Sequence, residues 1–324
     1  MALRGTAISM NNLIKQAINS FAQGKLVAIP TETVYGLAAP IDKPELITRI
    51  FSIKERPFFD PLIIHVDGIA MAKKWVAHWP ESAQLLAEKF WPGPLSIILP
   101  KAASVDERIT SGLTTVAVRC PHHALTLALI EQMGVPLAAP SANKFGKTSP
   151  TTAAHVAQEF SSEDVLVLDG GACEVGIEST IVKIENNSAI IMRQGMITPE
   201  QIKQALAPMN FAVELYNKQT IEAPGQVKHH YMPKIPVVEI PSWPLSQWHT
   251  EIVRRLGVNG AGRELDLGPD PAMAARQLYS NLRILAESGA AYIAWVQPQN
   301  INLDQTPWAS ILDRLKRASL LTIS

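Results

Sequence analysis

The run Leu26-Val-Ala-Ile29 empties into Pro30-Thr31-Glu32-Thr33-Val34-Tyr35-Gly36, which sets three hydroxyl side chains and a carboxylate directly behind a buried-type strand. Two cations follow in Ser52-Ile53-Lys54-Glu55-Arg56-Pro57, ahead of Asp60-Pro61 and the apolar stretch Leu62–Val66, which carries His65. A guanidinium grips phosphate oxygens bidentately and an ammonium neutralises them, so Lys54 and Arg56 on a loop before a strand suit an anion. Taken alone, such a pair is more often a solvated charge run. Ala139-Pro140-Ser141-Ala142-Asn143 follows another apolar strand and precedes a loop, Lys144 to Thr152, that ends at a helix start. Small residues there let a ligand approach the backbone, and hydroxyls, an amide and free N–H groups supply donors. Helix capping by Thr151 or Thr152 is the plainer use of the same residues. Gly170-Gly171 and Gly176-Ile177-Glu178-Ser179-Thr180 form a third loop, Arg193 closes the strand opposite it, and Arg119 ends the strand begun by Thr115. A lone Ser or Arg at a strand end is more often structural. Their common placement at strand ends, where α/β sheets hold ligands, points to a nucleotide or phosphate site.

The familiar cradles are missing from the sequence. There is no G-x-x-x-x-G-K-[ST] loop and no G-x-G-x-x-G, so a nucleotide would be held by neither common phosphate turn. No G-x-S-x-G elbow supports serine-hydrolase chemistry. His122-His123 precedes a helix and reads as a cap rather than a metal site, because no Cys, His or Asp lies at ligand spacing.

Short apolar runs and helical patterns alternate to position these loops. Strands are predicted at Leu26–Ile29, Leu62–Val66, Leu95–Leu99, Thr115–Arg119, Val135–Ala139, Val165–Leu168, Thr180–Ile184 and Ala189–Arg193. Helices are predicted from a Ser9 cap to Phe21 with Gly24 closing, from Pro44 to Phe51, and at Ser82–Phe90, His123–Met133 and Thr152–Phe160. The pattern predicts an α/β domain with a twisted mixed sheet over residues 1–206, ending after the helix begun by Thr198-Pro199-Glu200. Periodicity fades over 207–236, a polar stretch punctuated by Pro208, Pro224, Pro233 and Pro236. It reads as a linker, longer than an ordinary connection and so either disordered or functional. Residues 237–324 then carry Val237–Ile240, a helix near Leu245–Leu256, a long one at Pro271–Ser288, a strand at Ala291–Val296 and a last helix from Pro307, which predicts a small second α/β domain.

With 324 residues, 47% of them hydrophobic and 18% charged, the chain is long enough for two cores. Lys plus Arg equals Asp plus Glu at 29 each, so no global field draws it to nucleic acid or an acidic membrane, and RNA contact would need a local patch. Cys120 and Cys173 offer neither a disulfide framework nor ligand spacing, and read as small core hydrophobes in a reducing compartment. No apolar run approaches the roughly 20 residues of a membrane helix, and Met1-Ala-Leu-Arg-Gly5 lacks a signal-peptide pattern, so the expected location is the cytoplasm with no membrane contact.

In series, Pro-Thr-Glu-Thr-Val-Tyr-Gly, Lys-x-Arg-Pro with Pro-Leu-Ile-Ile-His, Trp91-Pro-Gly-Pro94, Ala-Pro-Ser-Ala-Asn and Glu-Ser-Thr-Ile-Val resemble the threonylcarbamoyl-AMP synthase family of YrdC-like proteins in order and spacing. Ala223-Pro224-Gly225-Gln226-Val-Lys228-His229-His230-Tyr231-Met-Pro233 is similar to the linker of its long form. The resemblance implies a twisted YrdC-like domain with a positive cavity, followed by a small Rossmann-like domain. It implies a nucleotidyltransferase that joins L-threonine, bicarbonate or CO2, and ATP into threonylcarbamoyl-adenylate and pyrophosphate, with Mg²⁺ on the phosphates. A separate tRNA threonylcarbamoyl transferase would consume the product. By the same resemblance, Thr33, His65, Arg119, Ser141 and Ser179 surround threonine, while Lys54, Arg56, Thr115, Asn143, Thr151 and Arg193 hold ATP and Tyr231 closes over the site. Lys54 and Arg56 would supply the catalytic charge, without any nucleophilic side chain.

Two positions depart from the family pattern. Asp60 stands in place of an Asn after Lys-x-Arg-Pro, either helping to hold Mg²⁺ beside ATP or pointing away, and Gln226 stands where the linker usually has Met. A non-catalytic RNA-binding module of the same fold is an alternative that zero net charge opposes. A carbamoyltransferase-type domain is another, although the acylphosphatase and zinc-finger segments that accompany it are absent from this sequence.

Overall fold

The computed structural model describes residues 2–209, 211–217, 222–224, 230–298 and 307–323, with only the backbone described for residues 2–9. Of the linker motif, Gly225, Gln226, Lys228 and His229 lie outside the described residues. Helix α1 (Ala2–Ala22) starts well before Ser9, its expected cap. No proline interrupts Ala2–Met10, and Gly5 costs about 1 kcal/mol, too little to stop a long helix. Gly24, at φ +80, ends it.

The chain continues through β1 (Leu26–Ile29), β2 (Gly36–Pro40), α2 (Pro44–Lys54), β3 (Ile63–His65), α3 (Ile69–Ala72), α4 (Glu81–Phe90) and β4 (Leu95–Pro100). Next come α5 (Glu107–Thr110), β5 (Thr115–Arg119), α6 (Ala124–Met133), β6 (Leu137–Ala138), α7 (Ala153–Ala157), β7 (Val165–Val167), β8 (Thr180–Glu185), β9 (Ser188–Arg193), α8 (Pro199–Ala205) and β10 (Ala212–Leu215). Among the described residues these ten strands form one mixed sheet, ordered β10-β9-β8-β4-β5-β3-β6-β2-β1-β7. Strand β2 is buried along its whole length and so shows no alternation for a period-two reading to find. Strand β10 lies inside the segment read as a linker; it pairs parallel with β9 as a mostly exposed edge strand of four residues, Ala-Val-Glu-Leu. His123 occupies the cap position of α6 without a side-chain cap bond, its Nε2 lying 3.3 Å from the Gly170 carbonyl instead.

Successive side chains of a strand face opposite ways, and this alternation divides the sheet's work. Ile64, Val116, Val118, Leu95, Ile97, Leu99 and Val182 point to the helix-covered side, where α1, α2, α4 and α6 complete the main core. Ile63, Ile98, Ala117, Ile181 and Met192 form a smaller apolar cluster with Ala223 of the connecting segment. Helices therefore bury one face of these central strands, and the connecting segment crosses the other.

Beyond it lie β11 (Val237–Ile240), α9 (His249–Leu256), β12 (Gly262–Glu264), α10 (Pro271–Glu287), β13 (Tyr292–Val296), α11 (Pro307–Ala318) and β14 (Ser319–Thr322). The four strands form an all-parallel sheet in the order β12-β13-β11-β14. One face packs Val238, Ile240, Tyr292 and Ala294 against Leu245 and Ile252. On the other, α10 and α11 enclose a core that also takes in Val34, Ile177 and Tyr231, so this cluster spans both sheets and the connecting segment. No helix among the described residues is long and apolar enough to cross a membrane.

Candidate functional site

A cavity opens where the connecting segment crosses the helix-free face. The parallel pairing of β3 with β5 sets His65 beside Arg119, the last residue of each strand. The β8–β9 pairing sets Arg193 opposite Ile181, just beyond Ser179. A bridge between Gly36 and Ser141 brings in the Ala-Pro-Ser-Ala-Asn loop. Gly36 suits that approach, since a Cβ there would meet Ala139 Cβ at 3.1 Å. Of the sequence candidates, Thr33, Arg56, His65, Arg119, Ser141, Arg193 and Tyr231 line this one cavity.

Each wall has a visible local cause. Thr31 accepts the backbone N–H groups of Thr33 and Val34 at 3.2 Å each, a hydroxyl-stabilised turn that explains the Thr-x-Thr pattern after the strand. Arg119 donates to Thr33 Oγ1 at 2.9 Å and to the Gly93 carbonyl at 3.3 Å, and its Nη2 lies 2.8 Å from Glu32 Oε1. The Trp-Pro-Gly-Pro turn thus presents a carbonyl to the site; a Cβ on Gly93 would fall 2.3 Å from the Phe90 carbonyl oxygen. Burial, reinforced by Arg119, pushes His65 down to about 3, so its imidazole is neutral near pH 7.

Arg56 reaches the cavity from a buried framework. It donates to the Asp60 and Pro61 carbonyls at 3.0 and 2.8 Å and pairs with Asp60 Oδ2 at 2.9 Å. Asp60 is wholly buried and lies outside the cavity lining, so it faces Arg56 rather than the open space. Its carboxyl is pushed up by burial, against the pull of Arg56 and Lys54. Lys54 also stands behind the wall: its ammonium donates to the Ser141 carbonyl at 2.6 Å and to the Asn143 carbonyl, tying α2 to that loop. Burial, with Arg56 nearby, pushes it well below the usual lysine range.

Other candidates sit in the frame or elsewhere. Ser179 is buried, its hydroxyl 2.9 Å from Ser96 Oγ and 3.1 Å from Arg193 Nη2. Asn143 donates to the Lys144 and Lys147 carbonyls, shaping its own loop. Thr151 lies toward α10, 3.1 Å from Ser280 Oγ, while Thr152 caps α7 by accepting from His155 N–H. Thr115 shares its face with Arg119 but lies four residues back, about 13 Å along the strand. It lines a separate, smaller cavity with Ile98, Thr110 and Glu222.

The connecting segment forms the roof. Pro224, His230 and Tyr231 line the cavity, and Arg193 donates to the Pro224 carbonyl at 3.3 Å. Tyr231 holds φ +66, a strained conformation for a bulky residue. Its ring centroid lies 5.7 Å from that of Tyr279 and 5.7 Å from the Arg314 guanidinium, both from the second sheet's helices. Burial pushes its phenol up to about 12, and pushes the His230 imidazole down to about 3.

Glu178, His230 and Thr31 line the cavity without a role assigned from sequence, although all three stand inside the quoted motifs. Glu178 is buried and accepts from Ser149 Oγ at 2.6 Å, Tyr279 OH at 2.9 Å and Arg314 Nε at 3.2 Å. Burial alone would raise its carboxyl, but Arg314, Arg193 and Ser149 hold it below the usual glutamate range. Three cations therefore face the space, Arg56, Arg119 and Arg193, each fixed by buried partners. The arrangement can orient an anion and stabilise growing negative charge. Cys120 and Cys173 are buried with thiols pushed up to about 12, so neither is a thiolate nucleophile near neutral pH. Among the described residues no three His, Cys, Asp or Glu side chains cluster to hold a metal.

Residues 19–195 match a family model of Sua5, YciO and YrdC proteins described as "Telomere recombination", and residues 197–319 match one described as "Threonylcarbamoyl-AMP synthase, C-terminal domain". A threonylcarbamoyl-AMP synthase of Pyrococcus abyssi is 37% identical, with 94% of each chain covered. One of Bacillus subtilis is 39% identical over 76% of this chain and 73% of its own. The crystal structure of P. abyssi Sua5 complexed with L-threonine superposes with a TM-score of 0.83 at 33% identity, covering 96% of both chains. The chain belongs to the threonylcarbamoyl-AMP synthase family, in the long form that carries the additional carboxy-terminal domain.

Proposed function

We propose that this cavity makes threonylcarbamoyl-AMP and pyrophosphate from L-threonine, bicarbonate or CO2, and ATP, for the threonylcarbamoyl modification of tRNA. The observation that carries the reading is the meeting of Thr33, His65, Ser141 and three fixed guanidinium groups in one pocket, in a chain whose relatives bear that name. Arg119, already oriented by Glu32 and Thr33, would pair with the threonine carboxylate, and neutral His65 with Ser141 would face its polar side. Ser179 would act from just behind the cavity surface. The threonine amine adds to CO2 with loss of a proton, or to bicarbonate with loss of water, and an oxygen of the resulting carbamate attacks the α-phosphorus of ATP; the bond to pyrophosphate breaks, and Arg56 and Arg193 face the charge that grows there.

ATP would enter as its magnesium complex, since Mg²⁺ commonly rides on substrate phosphates. Asp60, turned to Arg56, would set the guanidinium rather than bind the ion. Lys54 and Asn143 would act by shaping the loop that carries Ser141, and Thr115 and Thr151 from positions outside the main cavity. Tyr231 with Pro224 and His230 would keep water from the labile product. The division into residues 1–206, a 207–236 lid and 237–324 belongs to the same proposal, with β10 extending the first sheet into the lid segment.

The test is release of pyrophosphate from ATP that requires L-threonine and bicarbonate together. Serine should turn over with kcat/KM reduced roughly 10- to 200-fold, since a pocket that packs the threonine methyl loses about 1 to 3 kcal/mol without it. Equal ATP consumption without any amino acid would sink the reading.

A further inference from the structure

Arg314 of α11 is fully buried just behind the cavity lining, and it touches the chain at two informative places. Its Nε donates to Glu178 Oε2 at 3.2 Å, and its Nη1 donates to the Gln194 carbonyl at 2.5 Å. Glu178 immediately precedes Ser179, and Gln194 immediately follows Arg193. One guanidinium from the carboxy-terminal unit therefore holds the chain neighbour of each of two site residues. Those residues also hold each other, because Arg193 donates to the Ser179 carbonyl and hydroxyl at 3.1 Å each.

The segment between them has no slack. Gly195 presses on the same peptide, where a Cβ would lie 2.4 Å from Thr180 N, 2.7 Å from Ser179 C and 2.8 Å from Glu178 O. The Tyr279 hydroxyl of α10 donates its one proton to the same Glu178 carboxylate, lying 3.1 and 2.9 Å from its two oxygens. Arg314 also sits 5.7 Å from the ring of Tyr231 in the cavity roof.

We infer that Arg314 is a positioning residue, through which the carboxy-terminal unit fixes Ser179 and Arg193 for threonine and ATP. This rests on the function proposed above. The guanidinium's fork matters as well as its charge: a lysine could neutralise Glu178 but could not hold a carboxylate and a carbonyl in two fixed directions. The same contact gives the second unit a task in the reaction without any group of its own at the reacting atoms.

The experiment uses the full-length chain and measures kcat, KM for threonine and KM for ATP by pyrophosphate release, beside thermal melts. Arg314→Met should raise the threonine KM about tenfold or more and the ATP KM several-fold, because small misplacements of binding groups are costly. A purely structural role would lower the melting temperature and the folded fraction while leaving both KM values unchanged. Arg314→Met leaves the buried Glu178 carboxylate without its ion-pair partner, so the double variant Arg314→Met/Glu178→Gln removes both charges and should recover the melting temperature. It should still show the raised KM values. Arg314→Lys, which keeps the charge, should fold and show a raised threonine KM. Wild-type KM values in the double variant or in Arg314→Lys would overturn the inference. A wild-type protein without threonine-dependent turnover would instead overturn the functional reading beneath it.

Discussion

Arg56 enters the cavity only because Asp60 shares its burial, and that pairing changes what a substitution there does. An exposed charge run would tolerate Arg56→Ala with the fold intact. The structure replaces that expectation: with Arg56 gone, Asp60 is a buried carboxylate without its cation, and breaking such a pair costs about 3 to 5 kcal/mol. Arg56→Ala should therefore lower turnover by about 10²-fold and also lower the melting temperature. Adding Asp60→Asn should restore the melting temperature and leave turnover low, as melts and pyrophosphate release on the same samples will show. His65 and His230 make a second prediction at this scale. Both are held down to about 3, against a usual value of 6.5, so unfolding takes up protons between those values. Stability is then fully present above about pH 6.5 and falls as pH drops toward 3, by about 1.4 kcal/mol per unit for each imidazole. Denaturant melts from pH 7 to pH 5 should show the loss, and His65→Gln should remove its own share while that of His230 persists.

The connecting segment is held as an element. Met232 N–H donates to the Gly146 carbonyl at 2.9 Å, Thr148 N–H donates to the Met232 carbonyl at 3.2 Å, and Thr148 Oγ1 donates to the Tyr231 carbonyl at 3.1 Å. The strap fastens to the very loop that Lys54 ties to α2, so roof and wall are one hydrogen-bonded unit. Met232→Pro removes a donor and forces the preceding Tyr231 away from its positive φ. It should reduce activity at least tenfold and speed proteolytic cutting of the segment, whereas ATP with threonine should slow cutting of the wild-type chain. Unchanged cleavage with and without ligands would mark the segment as a passive tether.

Two sheets, each with its own helices, share a core through Val34, Ile177 and Tyr231. They also press together at Gly176, whose φ is +82 and where a Cβ would fall 2.4 Å from Arg276 Cα. Gly176→Ala must push α10 away or distort the loop ahead of Glu178, so it should lower the melting temperature and raise the threonine KM together. Cutting the chain before Ala223 goes further. It bares the apolar cluster around Ile63 and Ala117, and leaves Glu178 without Arg314 and Tyr279. The amino-terminal piece should remain folded but lose most of its activity; full activity of that piece would refute any catalytic contribution from the second unit.

Local chemistry alone marked much of this molecule. Pro44 opening α2, the Thr198 capping box of α8 and the short apolar strands are decided within a few residues of chain, and so are visible there. The hydroxyl turn at Thr31 and the strand-end residues Arg119 and Arg193 were legible for the same reason, whereas His65 read as interior to Leu62–Val66 and closes β3 only in the structure. What a sequence cannot carry is which way a side chain faces once strands pair, and what lies on the far side of it. Thr115 and Arg119 share a strand face but not a cavity, and Lys54 and Asp60 look like surface charges until α2 and the Ser141 loop close over them. Strand β10 escaped because four residues on a mostly exposed edge make too short a run to stand out in a proline-punctuated stretch. Glu178 meets Arg314 across 136 positions, where the units of the two sheets pack together. Such a contact depends on the packing of whole units, and only the tertiary structure decides it.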